Sequence, residues 1–286
     1  MSLGENPNEF FRKRGLRAVR PLTALALVTV SMLLIFGVGF LLTLWVRRPG
    51  ANPDARAVIF AAELLLLIPE LVYIGWKRLN FFEVFRLNPV PLSLIVAAIV
   101  LTVGLIPLTD ALDRLIQVWI PVPKGLEEML KLSFVFHNRF YFWLAFFSAT
   151  LFAGTFEEML FRGFLQGTWE LYFSAGWAIG ISATLFAVVH LNPWWLVQIL
   201  ILGLLLGYVA FRSKSVIPGI FVHVLNNTVA LLFLKAPDKG ENWYSTGPNV
   251  HWYWLVLGAI LFLAGFVWMK KIWDKNDLEE VVKAWN

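Results

Sequence analysis

Cysteine is absent from this 286-residue chain. Disulfides, thiolate metal sites and a cysteine nucleophile are therefore excluded at once. Charge is also scarce: Asp, Glu, Lys and Arg make up 15% of the residues against 59% hydrophobic ones, and the mean hydropathy is +0.70. That composition lies outside the range of a soluble globular domain. No aspartate occurs between Arg114 and Pro237, which rules out a pair of aspartates buried in the apolar helices of that stretch. None of the four histidines begins H-E-x-x-H, so the usual helical zinc-hydrolase motif is missing. Ser148, Ser174 and Ser182 are present, but none stands in G-x-S-x-G. There is no internal repeat and no low-complexity tract, so residues 1–286 read as a single integral membrane domain.

What is present is a series of apolar runs. A peptide group in lipid must find its hydrogen bonds within its own segment, so these runs are expected to be helices. Leu22 to Val46, Leu92 to Leu108, Trp194 to Phe211 and Trp252 to Met269 carry no charge at all. Val58 to Trp76 is interrupted only by Glu63 and Glu70, and Phe140 to Phe156 runs into Glu157. Trp177 to Val189 ends at His190, and Val216 to Leu234 contains His223. The expected fold is all-α, a polytopic membrane bundle of about eight transmembrane helices.

The net charge of +5 does not form a continuous cationic surface, because the basic residues flank the apolar runs. Nucleic acid is not an expected partner; the lipid bilayer is. With eight alternating spans and the N-terminus inside, inner segments hold 15 of the 24 Lys and Arg residues and outer segments nine. This bias places both termini in the cytoplasm, in a multi-pass protein. The first apolar run follows five basic residues and lacks a small-residue cleavage site, so it reads as a retained span. The stretch Thr109 to Arg139 mixes charges with Leu, Ile and Trp, and part of it is expected along the membrane interface.

Ionisable groups at membrane depth are costly, so each is either paired between helices or functional. In FEEMLFRGF, Glu158 and Arg162 are four apart in the favourable order for a same-face pair, and Glu157 is rotated about 100° away from Glu158. In FAVVH, Phe186 and His190 share a face; in HVLNN, His223 and Asn227 do. Each cluster alone is compatible with a purely structural role. Together they satisfy one another only by converging, and a convergent Glu, two His and an Asn make a hydrolytic constellation. Glu63 and Glu70, seven apart, read as interhelical hydrogen-bond partners on one face. Gly203 and Gly207 make a close-packing pair.

At these residues the chain resembles the CAAX protease and bacteriocin-processing family, the type II CAAX prenyl endopeptidases and their relatives. The family pattern is E-E-x-x-x-R, then F-x-x-x-H, then H-x-x-x-N or H-x-x-x-D. Glu157, Glu158 and Arg162, then Phe186 and His190, then His223 and Asn227 match it in order. The resemblance implies eight membrane spans and a glutamate-dependent intramembrane endopeptidase, with residues 140–235 as its catalytic core helices. It implies a membrane-associated peptide or protein substrate, prenylated or not.

The mechanism read from these residues has Glu157 as general base, His190 holding the attacking water, and His223 with Asn227 stabilising the oxyanion. Glu158, Arg162 and Phe186 support them. Asn is a good amide donor and an uncommon zinc ligand, so no cofactor is expected; a zinc ion held by Glu157, His190 and His223 is the alternative. Two other functions compete: a non-proteolytic membrane scaffold or immunity-type factor, and a proton-relaying transporter, for which paired interrupted helices in two halves are missing. One geometric difficulty stands. Strict alternation puts Glu157 near the inner end of its helix and His190 at the outward end of the next. Tilt, continuation of the Glu157 helix through Phe161 to Leu165, or a shallow start at Trp177 would each bring them level.

Overall fold

The computed structural model describes residues 19–234 and 243–285, without the side chains of residues 127, 130, 234 and 276–285. It is an all-α polytopic membrane bundle. The helices are α1 (Pro21–Val46), α2 (Pro53–Lys77), α3 (Leu92–Trp119), α4 (Lys124–Ser133), α5 (Arg139–Trp169), α6 (Ala175–Val189), α7 (Leu196–Ser213), α8 (Ile217–Leu234) and α9 (Trp252–Trp285). Six are long and apolar enough to cross a membrane: α1, α2, α3, α5, α7 and the Trp252–Lys275 part of α9. The other two expected spans, α6 and α8, are shorter apolar helices. A two-stranded antiparallel hairpin, Ser245–Thr246 with Asn249–Val250, precedes α9.

Several bounds differ from the hydropathy reading. α3 does not stop before Asp110 but continues to Trp119, with Pro107 inside it. The expected interfacial stretch is α4, a ten-residue helix with a mostly exposed surface. α2 is not one continuous α-helix. It passes from a 3₁₀ turn (Pro53–Arg56) through Ala57–Phe60 and a second 3₁₀ stretch (Ala61–Leu65) to a turn at Leu66 and Leu67, then restarts as Ile68–Lys77. Pro69 lies in the first turn of the restarted helix, where its missing N–H costs nothing.

That break corrects the pairing of Glu63 with Glu70 on one face. Glu70 is fully buried and accepts the Ser31 hydroxyl of α1 at 2.9 Å, as an interhelical partner should. Glu63 instead turns toward a cleft beside α5.

The difficulty over depth is resolved by the length of α5. This helix runs well past Glu157 to Trp169, so the chain turns back several helical turns beyond the carboxylate. α6 begins just beyond, at Ala175, and its 15 residues rise about 22 Å, too short to cross about 30 Å of hydrocarbon. It therefore ends at membrane depth, nearly level with Glu157, with His190 at its C-cap.

Two large apolar cores hold the bundle, with a smaller one around Ala57, Phe134 and Ala145. One gathers Met159, Leu160, Phe161, Phe164, Leu165 and Trp169 of α5 with Phe186 of α6, Phe85, and Val28 of α1. The second joins α3, α7, α8 and α9 through Leu94, Leu101, Leu206, Val222, Met269 and Trp273. α3 and α9 approach closely on small residues: a Cβ at Gly265 would lie 2.6 Å from the Leu101 backbone nitrogen, and one at Gly258 would lie 2.8 Å from the Gly104 carbonyl. With lipid on the outside, such close packing replaces the hydrophobic drive available in water.

Candidate active site

α5 is not a regular α-helix where the site forms. Ser148–Phe152 and Glu158–Gln166 are π-helical, and the single α stretch between them, Ala153–Glu157, ends at Glu157. Wider π turns shift side-chain register and recur at functional sites. Here they separate two consecutive carboxylates: Glu157 is 16% exposed while Glu158 is wholly buried.

Glu157 Oε2 lies 3.9 Å from His190 Nε2 and 3.8 Å from His223 Nε2. These are ion-pair separations, too long for direct hydrogen bonds, and Oε2 is buried without a hydrogen-bond partner. Both imidazoles are held at their other nitrogen. His190 Nδ1 is 2.6 Å from the Phe186 carbonyl one turn back, and His223 Nδ1 is 3.1 Å from Glu158 Oε1. A carbonyl can only accept, and a carboxylate paired with arginine does the same, so each Nδ1 carries the proton. Each Nε2 is thereby turned toward Glu157, the arrangement by which an outer hydrogen bond fixes a tautomer and a ring orientation.

Glu158 and Arg162 do more than neutralise each other. Arg162 Nη1 donates to Glu158 Oε1 at 2.8 Å, both side chains are fully buried, and Nη2 reaches the Gly203 carbonyl of α7 at 3.3 Å. The guanidinium also lies 4.0 Å over the Phe186 ring, a favourable cation–π distance. Phe186, 1% exposed, also meets three other rings edge-on: Phe161 at 5.2 Å, His190 at 4.8 Å and His223 at 5.7 Å. It sets the distance between the two histidine helices.

Gly203 and Gly207 are close-packing residues as expected, and they also present carbonyls. A Cβ at Gly203 would sit 3.2 Å from the Ala183 Cβ of α6, and the Gly207 carbonyl accepts from Gln166 Nε2 at 2.9 Å. Gln166 in turn donates to Glu170 Oε1 at 2.7 Å, and Glu170 pairs with Arg86 at 2.5 Å. Glu158, Arg162 and Gln166 of α5 and Glu170 at its C-cap, each four residues after the last, thus form one polar stripe. Sequence reasoning used only its first pair; the four-residue repeat in EMLFRGFLQGTWE was the available signal.

Asn227 is placed apart from the imidazoles. Its Nδ2 donates to the Ala149 carbonyl, in the first π stretch of α5, at 3.1 Å. It lines a cleft of about 470 Å³ together with Glu157 and Glu63. The remaining walls are Ile35, Phe36 and Phe40 of α1, Ile59 and Phe60 of α2, and small residues of α1, α2 and α5. Glu63 was not singled out for the site by sequence reasoning. A carboxyl in an apolar run reads equally as an interhelical partner, and only the break in α2 turns it toward Glu157.

Among the described residues, no three His, Asp or Glu side chains are grouped as a metal site. The two Oε2 to Nε2 separations exceed the edge of about 3.4 Å expected for a tetrahedron with ligands 2.0–2.2 Å from its centre.

Residues 139–229 match the family model described as Type II CAAX prenyl endopeptidase Rce1-like. The match begins with α5 and ends inside α8, and it contains Glu157, Glu158, Arg162, Phe186, His190, His223 and Asn227. No curated protein and no solved structure matches the chain.

Proposed function

We propose that this protein is an intramembrane endopeptidase that hydrolyses a peptide bond by glutamate-activated water. The family match supports a protease of the CAAX type in general. The observation that carries the finer reading is the facing of Glu157 Oε2 by two tethered imidazoles, at 3.8 and 3.9 Å, on the wall of a largely apolar cleft.

Gaps of that size suit a water held between carboxylate and imidazole. Glu157 accepts the water's proton as its oxygen attacks the scissile carbonyl, and His190 Nε2 accepts the water's other hydrogen and so orients it. Negative charge then develops on the carbonyl oxygen. Asn227 has a second amide N–H beyond the one bound to Ala149, and His223 donates from Nε2 when both its nitrogens carry protons; these stabilise the oxyanion. Collapse of the tetrahedral intermediate breaks the C–N bond, and the proton taken by Glu157 passes to the leaving amine.

Glu158, Arg162 and Phe186 are positioning residues in this scheme. The substrate is a membrane-associated peptide or protein, and the apolar walls beside Glu157 favour one carrying a prenyl group or apolar side chains near the scissile bond. Purified protein in detergent, incubated with prenylated and unprenylated CAAX-type peptides and read by mass spectrometry, tests the reading. Cleavage of at least one series at a single bond is expected, with preference for the prenylated one. An intact panel after prolonged incubation with well-folded protein would overturn it.

A further inference from the structure

Glu63 lies in the 3₁₀ stretch Ala61–Leu65 of α2, well inside a membrane-spanning segment. Among the described residues its carboxyl has no hydrogen bond or ion pair, in contrast with Glu70 on the same span, which is buried against Ser31. It is half-buried, lines the same cleft as Glu157 and Asn227, and lies close enough to Glu157 for their charges to interact. No Lys or Arg lines that cleft. An ionisable group kept at membrane depth without a protein partner calls for a partner that arrives from outside.

The proposed reaction specifies what arrives. A peptide extended for cleavage has given up its helical hydrogen bonds, and in an apolar cleft water does not replace them. The cleft holds few side-chain acceptors: on the α1 and α2 side they are the Glu63 carboxyl and the Thr43 hydroxyl, whose proton goes to the carbonyl of Gly39 on its own helix. On the α5 and α8 side, Glu157 serves the water, and the Asn227 amide N–H groups serve Ala149 and the oxyanion.

We infer that Glu63 is a substrate-positioning residue whose carboxyl accepts a backbone N–H of the extended peptide next to the scissile bond, holding the chain between α2 and α5. This rests on the endopeptidase reading. It adds a residue outside the segment that matches the family, on a helix in which no motif was recognised. The role needs an acceptor oxygen and not a negative charge, which separates it from two other uses of a carboxyl there: protonating the leaving amine, and tuning Glu157 electrostatically.

The test uses full-length protein and a farnesylated CAAX-type peptide series in which each backbone nitrogen near the cleaved bond is methylated in turn. In the wild type, one methylation is expected to lower kcat/KM by about tenfold or more, the effect of losing a hydrogen bond in a dry site. In Glu63→Met, kcat/KM for the parent peptide falls by a similar factor, mainly through KM, and that methylation costs nothing further, as a double-mutant cycle requires for interacting groups. Glu63→Gln, which keeps a carbonyl acceptor, rescues most of the loss and restores sensitivity to the methyl group. If Glu63→Met melts early in detergent, the same cycle is read from Glu63→Ala, which also lacks the acceptor.

Cleavage by the wild type with no methylation whose cost depends on residue 63 overturns the inference and leaves the endopeptidase reading intact. A Gln variant as impaired as Met in kcat, or one whose acid limb of kcat/KM is displaced, also overturns it, in favour of an acid or electrostatic role. Absence of any cleavage by the wild type removes both.

Discussion

Glu157 and Glu158 are neighbours in the chain and opposites in environment. Glu157 sits at the end of the α segment of α5, partly exposed to a cleft, with Oε2 facing two imidazole nitrogens and bonded to neither. Glu158 opens the second π stretch, is wholly buried, and shares one oxygen between Arg162 Nη1 and His223 Nδ1. One face of α5 thus offers an acceptor with spare capacity, and the other anchors the helix to α7 and α8. The surroundings of Glu157 depend on its neighbour, because Glu158 fixes His223, one of the two rings that Glu157 faces.

The contrast is broken most completely at Glu157. Glu157→Gln keeps the side-chain volume but cannot accept the water's proton, and kcat is expected to fall by about 10²–10⁴-fold while the melting temperature in detergent stays at the wild-type value. Peptide turnover at the wild-type rate by folded Glu157→Gln protein would remove the general-base role. The same exchange one residue later should behave differently: Glu158→Gln keeps acceptor geometry toward Arg162 and His223, so it should lose stability first and activity as a consequence.

Deleting a partner outright is the harsher version. Glu158→Ala or Arg162→Ala leaves an opposite charge buried and unpaired, with an expected loss of about 3–5 kcal/mol, visible as early melting in both variants. If both melt with the wild type, the pair does not anchor α5. A smaller effect is expected at the far end of the stripe. A Cβ at Gly207 would lie 2.7 Å from Gln166 Oε1 and 3.0 Å from Ile179, so Gly207→Val should cost about 1–3 kcal/mol through overpacking. Activity measured well below its melting temperature should change far less than for Glu157→Gln. An inactive but equally stable Gly207→Val protein would show that the stripe tunes the chemistry and does not only hold the helix.

Much of this was legible in the residues. Uncharged runs announce helices because lipid leaves the backbone no other choice, and a carboxylate, two imidazoles and an amide on such helices point to convergence. Continuation of the Glu157 helix through Leu165 is one of three options that the residues leave open, because Glu157, Glu158 and Arg162 also look like the end of a span until Glu158 and Arg162 are seen satisfied inside the protein by His223, Gly203 and Phe186. The break in α2 was hidden for the opposite reason. Ala61–Leu67 is apolar enough to read as regular helix, which sets Glu63 and Glu70 on one face, whereas the turn at Leu66 and Leu67 sends Glu70 to Ser31 and Glu63 to the cleft. Gly203 and Gly207 are close-packing residues as expected, but their buried carbonyls become meaningful only with Arg162 and Gln166 in place.

The smallest effect is expected from removing metal, and it tests whether the contrast between the two glutamates is the right one. Were a zinc ion bound by Glu157, His190 and His223, Glu157 would serve as a ligand, and its difference from Glu158 would be one of partner and not of role. In the proposed mechanism Glu157 Oε2 and the two tethered imidazoles, 3.8 and 3.9 Å away, instead border a gap suited to a water. Protein treated with a strong chelator and freed of it by gel filtration is therefore expected to keep nearly all of its kcat/KM, with metal far below one equivalent by elemental analysis. Stoichiometric zinc that leaves together with activity and restores it on return would overturn the glutamate mechanism and shift Glu157 among the ligands. Inhibition by an aromatic chelator alone does not carry that weight, because an apolar ring can occupy the cleft beside Phe36, Phe40 and Phe60 directly; a non-chelating isomer that inhibits equally identifies such binding.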